Sequence, residues 1–218
     1  YVVVPQDTSF KISRKTGIPR FLIVDANGDS ELDQLSIDDE INIPSRDETM
    51  PEMPIPYKRI VIDLETQYLI AFENSQVIFE WPISSGVASA YTSPGVYQIL
   101  SHDELAYGSS GSLCDNVTLQ CGQWEMSWFM GIYEVQPGFV NGFHGKVLLP
   151  NGNYLGNGMI GTPATFGCVM SGEDEAILLY DWAEVGTVVE ILSNEYAPMS
   201  DLGRLALEIA QSRDSDGA

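Results

Sequence analysis

Three apolar runs in quick succession constrain this chain more than anything else in it. Ile60-Val61-Ile62-Asp63-Leu64 and Tyr68-Leu69-Ile70-Ala71-Phe72 are separated only by Glu65-Thr66-Gln67, and Val77-Ile78-Phe79-Glu80-Trp81-Pro82-Ile83 follows a turn at Asn74-Ser75. Runs this short, rich in β-branched and aromatic residues, read as strands, and such brief connections make sequential strands neighbours. Further strands are expected at Val96 to Leu100, after Thr92-Ser93-Pro94-Gly95, and at Val188 to Leu192, after Gly186-Thr187. Residues 59–193 are therefore expected to form a mainly β, sandwich-like domain. One helix is set into it from Glu173 to Trp182, with Ala176, Leu179, Tyr180 and Ala183 at helical spacing and Ser171 as its cap. In residues 194–218, Leu202, Leu205, Ala206 and Ile209 mark one amphipathic helix, followed by a disordered end from Asp214.

Residues 1–44 read differently, as strand, helix, helix, strand. Tyr1 to Val4 is extended and apolar, Asp7-Thr8 supplies an N-cap, and Phe10, Ile12, Ile18, Leu22 and Ile23 line one side of two short helices. Ile41 to Pro44 returns as a short strand. Residues 45–58 carry Pro51, Pro54 and Pro56 among charged residues, the composition of a semi-extended linker. Ser101 to Gly142 reads as a long Gly/Ser-rich connection, either a lid or binding loop or a segment whose aromatic residues, among them Trp124, Trp128 and Phe129, plug a barrel end.

The charge balance excludes some partners. With 10 basic against 31 acidic residues, the formal charge is -21. Such a surface repels phosphate backbones, so nucleic acid is not an expected partner, and no apolar run is long enough to span a membrane. Cys114 and Cys121 sit in the Gly/Ser-rich stretch while Cys168 stands apart. In an exported protein the first two would pair as a disulfide and the third remain a free thiol; the alternative is three reduced cysteines. A metal site is not expected, because His102 is the only further ligand candidate near the paired cysteines.

Cys168 and His144 carry the chemistry. Cys168 stands in Thr165-Phe166-Gly167-Cys168-Val169, and His144 in Phe143-His144-Gly145. A thiol with an ordinary pKa near 8.5 needs a base or a lowered pKa to attack a carbonyl, and an imidazole serves both ends. Between the two lies a segment holding Pro150, Asn151-Gly152, Asn157-Gly158 and Gly161, turn chemistry that returns the chain so that the side chains meet across neighbouring strands. Backbone N–H groups of Gly167 and Cys168 are the candidate oxyanion donors. His102 has no motif around it and reads as an exposed loop residue.

These residues resemble the YkuD-type L,D-transpeptidase domain, whose signature is a His-Gly followed by [Ser/Thr]-His-Gly-Cys-[Ile/Val]-[Arg/Asn]. Ser84-Ser85-Gly86 and Thr92-Ser93-Pro94-Gly95 resemble a further segment of that family, so the likeness runs from Arg59 to Leu192. Phe166 stands where the family usually has histidine, and Met170 where it has arginine or asparagine. The resemblance implies a cysteine acyl-enzyme with Cys168 as nucleophile and His144 as base. It also implies that the Gly145 carbonyl orients the imidazole and that Gly167 shapes the oxyanion site. Thr165, Phe166, Met170, Trp128 and Phe143 are the expected substrate contacts. No metal or organic cofactor is implied.

Residues 1–44 look like a LysM module, which implies that Asp7, Thr8, Ser9 and Asn27 meet N-acetylglucosamine in glycan strands. That family usually has glycine where this chain has Gln6 and Asp39. Together the two resemblances imply a secreted monomer in the cell wall or periplasm that joins peptidoglycan stem peptides by 3→3 crosslinks. An L,D-carboxypeptidase, or a wall-binding protein that keeps the scaffold without the catalysis, are the alternatives.

Overall fold

The computed structural model describes residues 1–28, 32, 34–108, 122–155 and 158–216, with the side chains of 214–216 excepted. Cys114 and Cys121, the expected disulfide pair, lie outside the described residues. Two sheets face each other. The first is built from β1 (Lys58–Asp63), β2 (Tyr68–Glu73), β3 (Gln76–Pro82), β4 (Gly95–Gln98) and β11 (Val188–Leu192), in the order β3-β2-β1-β11-β4. The tight turns between the first three strands make them antiparallel neighbours, as their spacing predicts. β11, arriving from far along the chain, pairs parallel to β1.

The second sheet contains β6 (Trp124–Gln136), β7 (Phe139–His144), β8 (Val147–Leu148), β9 (Tyr154–Leu155) and β10 (Val169–Met170), in the order β10-β7-β6-β8-β9, with β5 (Asp103–Gly108) also on β6. The core between the sheets is formed by Ile60, Ile62, Leu69, Ile83, Ile99 and Ile132 with Tyr97 stacked on Tyr133, centroids 4.9 Å apart. Burying one such aliphatic side chain contributes about 1.5–3 kcal/mol, which makes this layer the main source of stability.

The expected long loop from Ser101 to Gly142 is replaced by β5 and β6. Trp124 to Gln136 is a single strand of 13 residues. Its first half pairs with β5 and β8 and its second half with β7. The change of partners falls at Trp128, a non-glycine residue at φ 58, and the strand turns there between two pairing systems.

Two helices lie outside the sheets. α3 (Glu173–Trp182) begins at Gly172, not at a Ser171 cap, because the Ser171 hydroxyl accepts from the Trp81 indole N–H at 3.1 Å instead. α4 (Asp201–Asp216) covers the outer face of β1 and β2 through Ala206 and Ala210, and it includes part of the stretch expected to be disordered.

At the N-terminus, α1 (Ser9–Thr16) and α2 (Arg20–Asn27) enclose a small apolar cluster of Val3, Ile12, Ile18, Ile23, Leu32 and Ile41. Thr8 caps α1 by accepting from Lys11 N–H at 3.2 Å, as its position predicts. The expected flanking strands reduce to one antiparallel bridge, Val2 with Glu40; Ile43-Pro44 takes no part in it. Residues 45–58 are no free linker either. A 3-10 turn, Arg46–Thr49, buries Thr49, whose hydroxyl donates to Val96 O, and Ile55 N–H donates to Gly186 O. Unpaired edge groups of the first sheet are satisfied this way, and the prolines add rigidity without a donor to waste.

Candidate active site

β7 ends at His144, and β10 begins one residue after Cys168. The two strands run parallel side by side, with Val169 opposite Phe143 and Met170 opposite His144. The chain returns through the β8–β9 hairpin, so the two motif halves meet on adjoining strands, as their turn-rich spacing implies. Val169 and Phe143 face the core between the sheets, while His144 and Cys168 line one cleft of about 330 Å³ on the other side.

Each reactive group is held by its neighbours. His144 is buried, and its Nδ1 lies 2.6 Å from the Gly145 carbonyl oxygen. A carbonyl can only accept, so Nδ1 carries the proton and Nε2 keeps its lone pair. The contact is the one that an orienting role for the Gly145 carbonyl requires. A Cβ at Gly145 would stand 2.5 Å from Glu173 Oε2. That carboxylate opens α3, accepts from Lys146 N–H and from the Trp128 indole at 3.0 Å each, and so braces the turn that follows the histidine.

The Cys168 thiol donates to Asn141 Oδ1 at 3.6 Å, and no hydrogen bond joins it to His144 among the described residues. Asn141 Nδ2 in turn donates to the buried Tyr133 hydroxyl, which also receives Ser93 N–H. The turn before the cysteine is fixed from within. Thr165 Oγ1 donates to Cys168 O at 2.6 Å and accepts from Gly167 N–H at 3.2 Å. Gly167 O accepts from Thr92 Oγ1 at 2.9 Å. The Gly167 N–H, an expected oxyanion donor, is therefore occupied by Thr165, which is a brace for the loop.

Burial sets the protonation state of the pair. It pushes the Cys168 thiol up to about 11 against a partial offset from the Gly142 backbone N–H. It pulls the His144 imidazole down to about 4, opposed by the Gly145 carbonyl and Glu173. Both groups are neutral at pH 7, so the expected thiolate–imidazolium pair gives way to a thiol beside a free base. A stability effect follows from His144. The unfolded chain takes a proton near 6.5 while the folded chain resists until about 4. Stability is thus whole above 6.5 and falls as pH drops through this window, by about 3 kcal/mol from this group alone. Urea unfolding at pH 7 and pH 4 checks it: His144→Gln should flatten the pH dependence by that amount.

The remaining expected contacts divide. Phe166 is 60% exposed, lines the cleft and stacks on Trp124 with centroids 6.0 Å apart and planes at 16°. Trp128 does not line it; the indole is turned to Glu173 and Tyr180, and Trp124 is the tryptophan of the cleft. Phe143 is a core residue. Met170 is fully buried, packed with Met126, Phe129 and Val147 beneath the cleft, where an arginine would leave a buried charge unpaired. Asn141 is a cleft residue that sequence reasoning missed, and Trp124 was expected only as part of a binding loop. Among the described residues no cluster of side chains suits a metal. His102, expected exposed, is half-buried against Tyr180 at 4.5 Å and takes no part in the cleft.

Of the expected glycan contacts, only Thr8 is exposed. Asp7 holds Lys15, the Tyr1 hydroxyl and Val4 N–H; burial raises its pKa, but these donors outweigh it and keep it at about 2. Ser9 is buried and accepts from Arg20, and Asn27 exchanges two bonds with the Asn42 backbone.

The YkuD family, described as the L,D-transpeptidase catalytic domain, matches residues 57–191. No curated protein matches the sequence. Among solved structures, an L,D-transpeptidase from Mycobacterium smegmatis is similar at 16% identity and a TM-score of 0.50, over 62% of this chain and 58% of that one. The L,D-transpeptidase LdtMt1 in complex with imipenem is similar at 16% identity and a TM-score of 0.51, over 62% and 59%. This chain thus spans less than two thirds of those proteins, and at such identity the likeness speaks for the fold alone. With the profile match over more than half its length, the chain belongs to the YkuD family of L,D-transpeptidase catalytic domains.

Proposed function

We propose that the chain is a peptidoglycan L,D-transpeptidase working through a Cys168 acyl-enzyme. The observation that carries this is the pair on adjoining strands, a thiol and an imidazole of fixed tautomer, opening on one cleft. His144 Nε2 takes the thiol proton as Sγ attacks the carbonyl between the third and fourth stem residues. The tetrahedral intermediate collapses to a thioester, and the same proton passes to the departing D-alanine amine. A side-chain amine of a second stem then attacks, giving a 3→3 crosslink and the free thiol; water in its place gives carboxypeptidase activity. Because both groups start neutral, proton transfer accompanies attack, and a raised thiol pKa makes each attack slower but the thiolate stronger.

Such a substrate places the protein outside the cytoplasm, acting as a monomer without cofactor. For residues 1–44 we propose a LysM-like glycan anchor, supported by the pair of short helices, the first of them capped by Thr8, and the bridge that closes it. Tethering of that kind raises the local concentration of stem peptides. A wall-binding role without catalysis is favoured by one observation, the thiol engaged by Asn141. Intact-mass measurement after incubation with meropenem separates the two readings: one adduct on Cys168 is expected, absent in Cys168→Ala. No adduct with any carbapenem or stem peptide would leave only the binding role.

A further inference from the structure

The cleft beside Cys168 has no charged side chain among its described lining residues. Its walls are Trp124, Phe139, Leu149, Leu155 and Phe166, with Tyr107 at the rim. Two of its polar side chains are already committed, Asn141 to Cys168 and Tyr133 and Thr165 to its own turn, which leaves neutral donors such as the Trp124 indole and the Tyr107 hydroxyl. The sequence deepens the point. From Ser101 to Met170 there is one basic residue, Lys146, against the acidic Asp103, Glu104, Asp115, Glu125 and Glu134. A carboxylate entering here would lose its water and meet no cation among the described lining residues, inside a protein of formal charge -21.

We propose that this cleft is a charge-excluding specificity site. It takes an acyl donor whose side chain, seated beside the Trp124–Phe166 ring pair, ends in an uncharged group such as a carboxamide, and it rejects a free carboxylate there. The proposal rests on the transpeptidase reading for its substrate. Its physical basis is separate: ring faces and aliphatic walls accept the apolar stem of a side chain and a neutral end, whereas an unpaired ion has no compensating partner.

The test uses two tetrapeptide stems that differ only in whether the third residue's side chain ends in carboxylate or carboxamide. Wild-type protein should acylate from the carboxamide with kcat/KM roughly 10- to 100-fold higher. Phe139→Arg and Tyr107→Arg, both at exposed positions on the cleft rim, should each narrow that ratio by about tenfold, because a cation restores a partner for the carboxylate. Equal kcat/KM for the two stems, or a ratio that neither arginine changes, would overturn the proposal. Calorimetric binding to Cys168→Ala protein makes the question independent of turnover. Tighter binding of the carboxamide stem without acylation of the wild type would refute the transpeptidase reading and uphold the specificity. Equal binding, or none, would refute the specificity.

Discussion

Cys168→Ala is expected to abolish thioester formation, and His144→Ala to lower its rate by about 10²–10⁴-fold. The asymmetry comes from what each residue supplies. Without the sulfur there is no bond to form. Without the imidazole the thiol remains, but with its pKa pushed up to about 11 by burial only about one part in 10⁴ is thiolate at pH 7. The His144→Ala enzyme should therefore regain rate steadily with pH, tenfold per unit up to the thiol pKa. The wild type should instead be nearly flat above the imidazole's ionisation near 4. Rates of meropenem adduct formation between pH 5 and 10, followed by mass spectrometry, distinguish these profiles. A His144→Ala protein with the wild-type rate and profile at neutral pH would remove the imidazole from the mechanism.

The β framework was readable because its strands are short, β-branched and separated by tight turns, so Ile60 to Pro82 admits little else. The reactive pair was readable for a similar reason. His144 and Cys168 need particular residue types next to them, a carbonyl to hold the imidazole and a glycine to let the loop turn, and those leave a pattern in the chain. Side-chain direction left none. Trp124 and Trp128 sit four apart on one strand, and alternation would give them the same face. The positive φ at Trp128 breaks the alternation and sends its indole to Glu173. Asn141 escaped notice because an asparagine in a strand carries no signature; its role exists only once Tyr133 of β6 and the Gly167-Cys168 turn converge on it.

Met170 shows how a departure from the family pattern reads differently in three dimensions. As a letter it looked like the loss of a polar substrate contact. In place, it joins Met126, Phe129 and Val147 under a cleft whose walls are mainly apolar. Phe166, the other departure, stacks on Trp124 along the same wall. Met170 is buried beneath the cleft and Phe166 lines its wall, and both apolar side chains fit the packing around them. That consistency across residues distant in sequence points to a cleft with its own selectivity rather than to decay of a site.

Gly167→Ala should cost both stability and acylation rate. The residue holds φ at 114, a left-handed conformation that side chains rarely adopt, and an added Cβ would lie 2.3 Å from Asn141 Nδ2. The alanine would therefore strain the backbone and displace the amide that holds both the Cys168 thiol and the Tyr133 hydroxyl. Backbone strain of this kind costs on the order of 1–3 kcal/mol, and misplacing a nucleophile by about 1 Å costs roughly 10²-fold in rate. Gly152→Ala is the matched control. It also has positive φ, at 82, but lies at the tip of the β8–β9 hairpin with nothing within 4 Å of the added carbon. Both variants should lose stability in urea unfolding, yet only Gly167→Ala should lose acylation rate at a temperature where it remains folded. Equal activity in the two variants would show that the Gly167–Asn141 contact does not position the thiol.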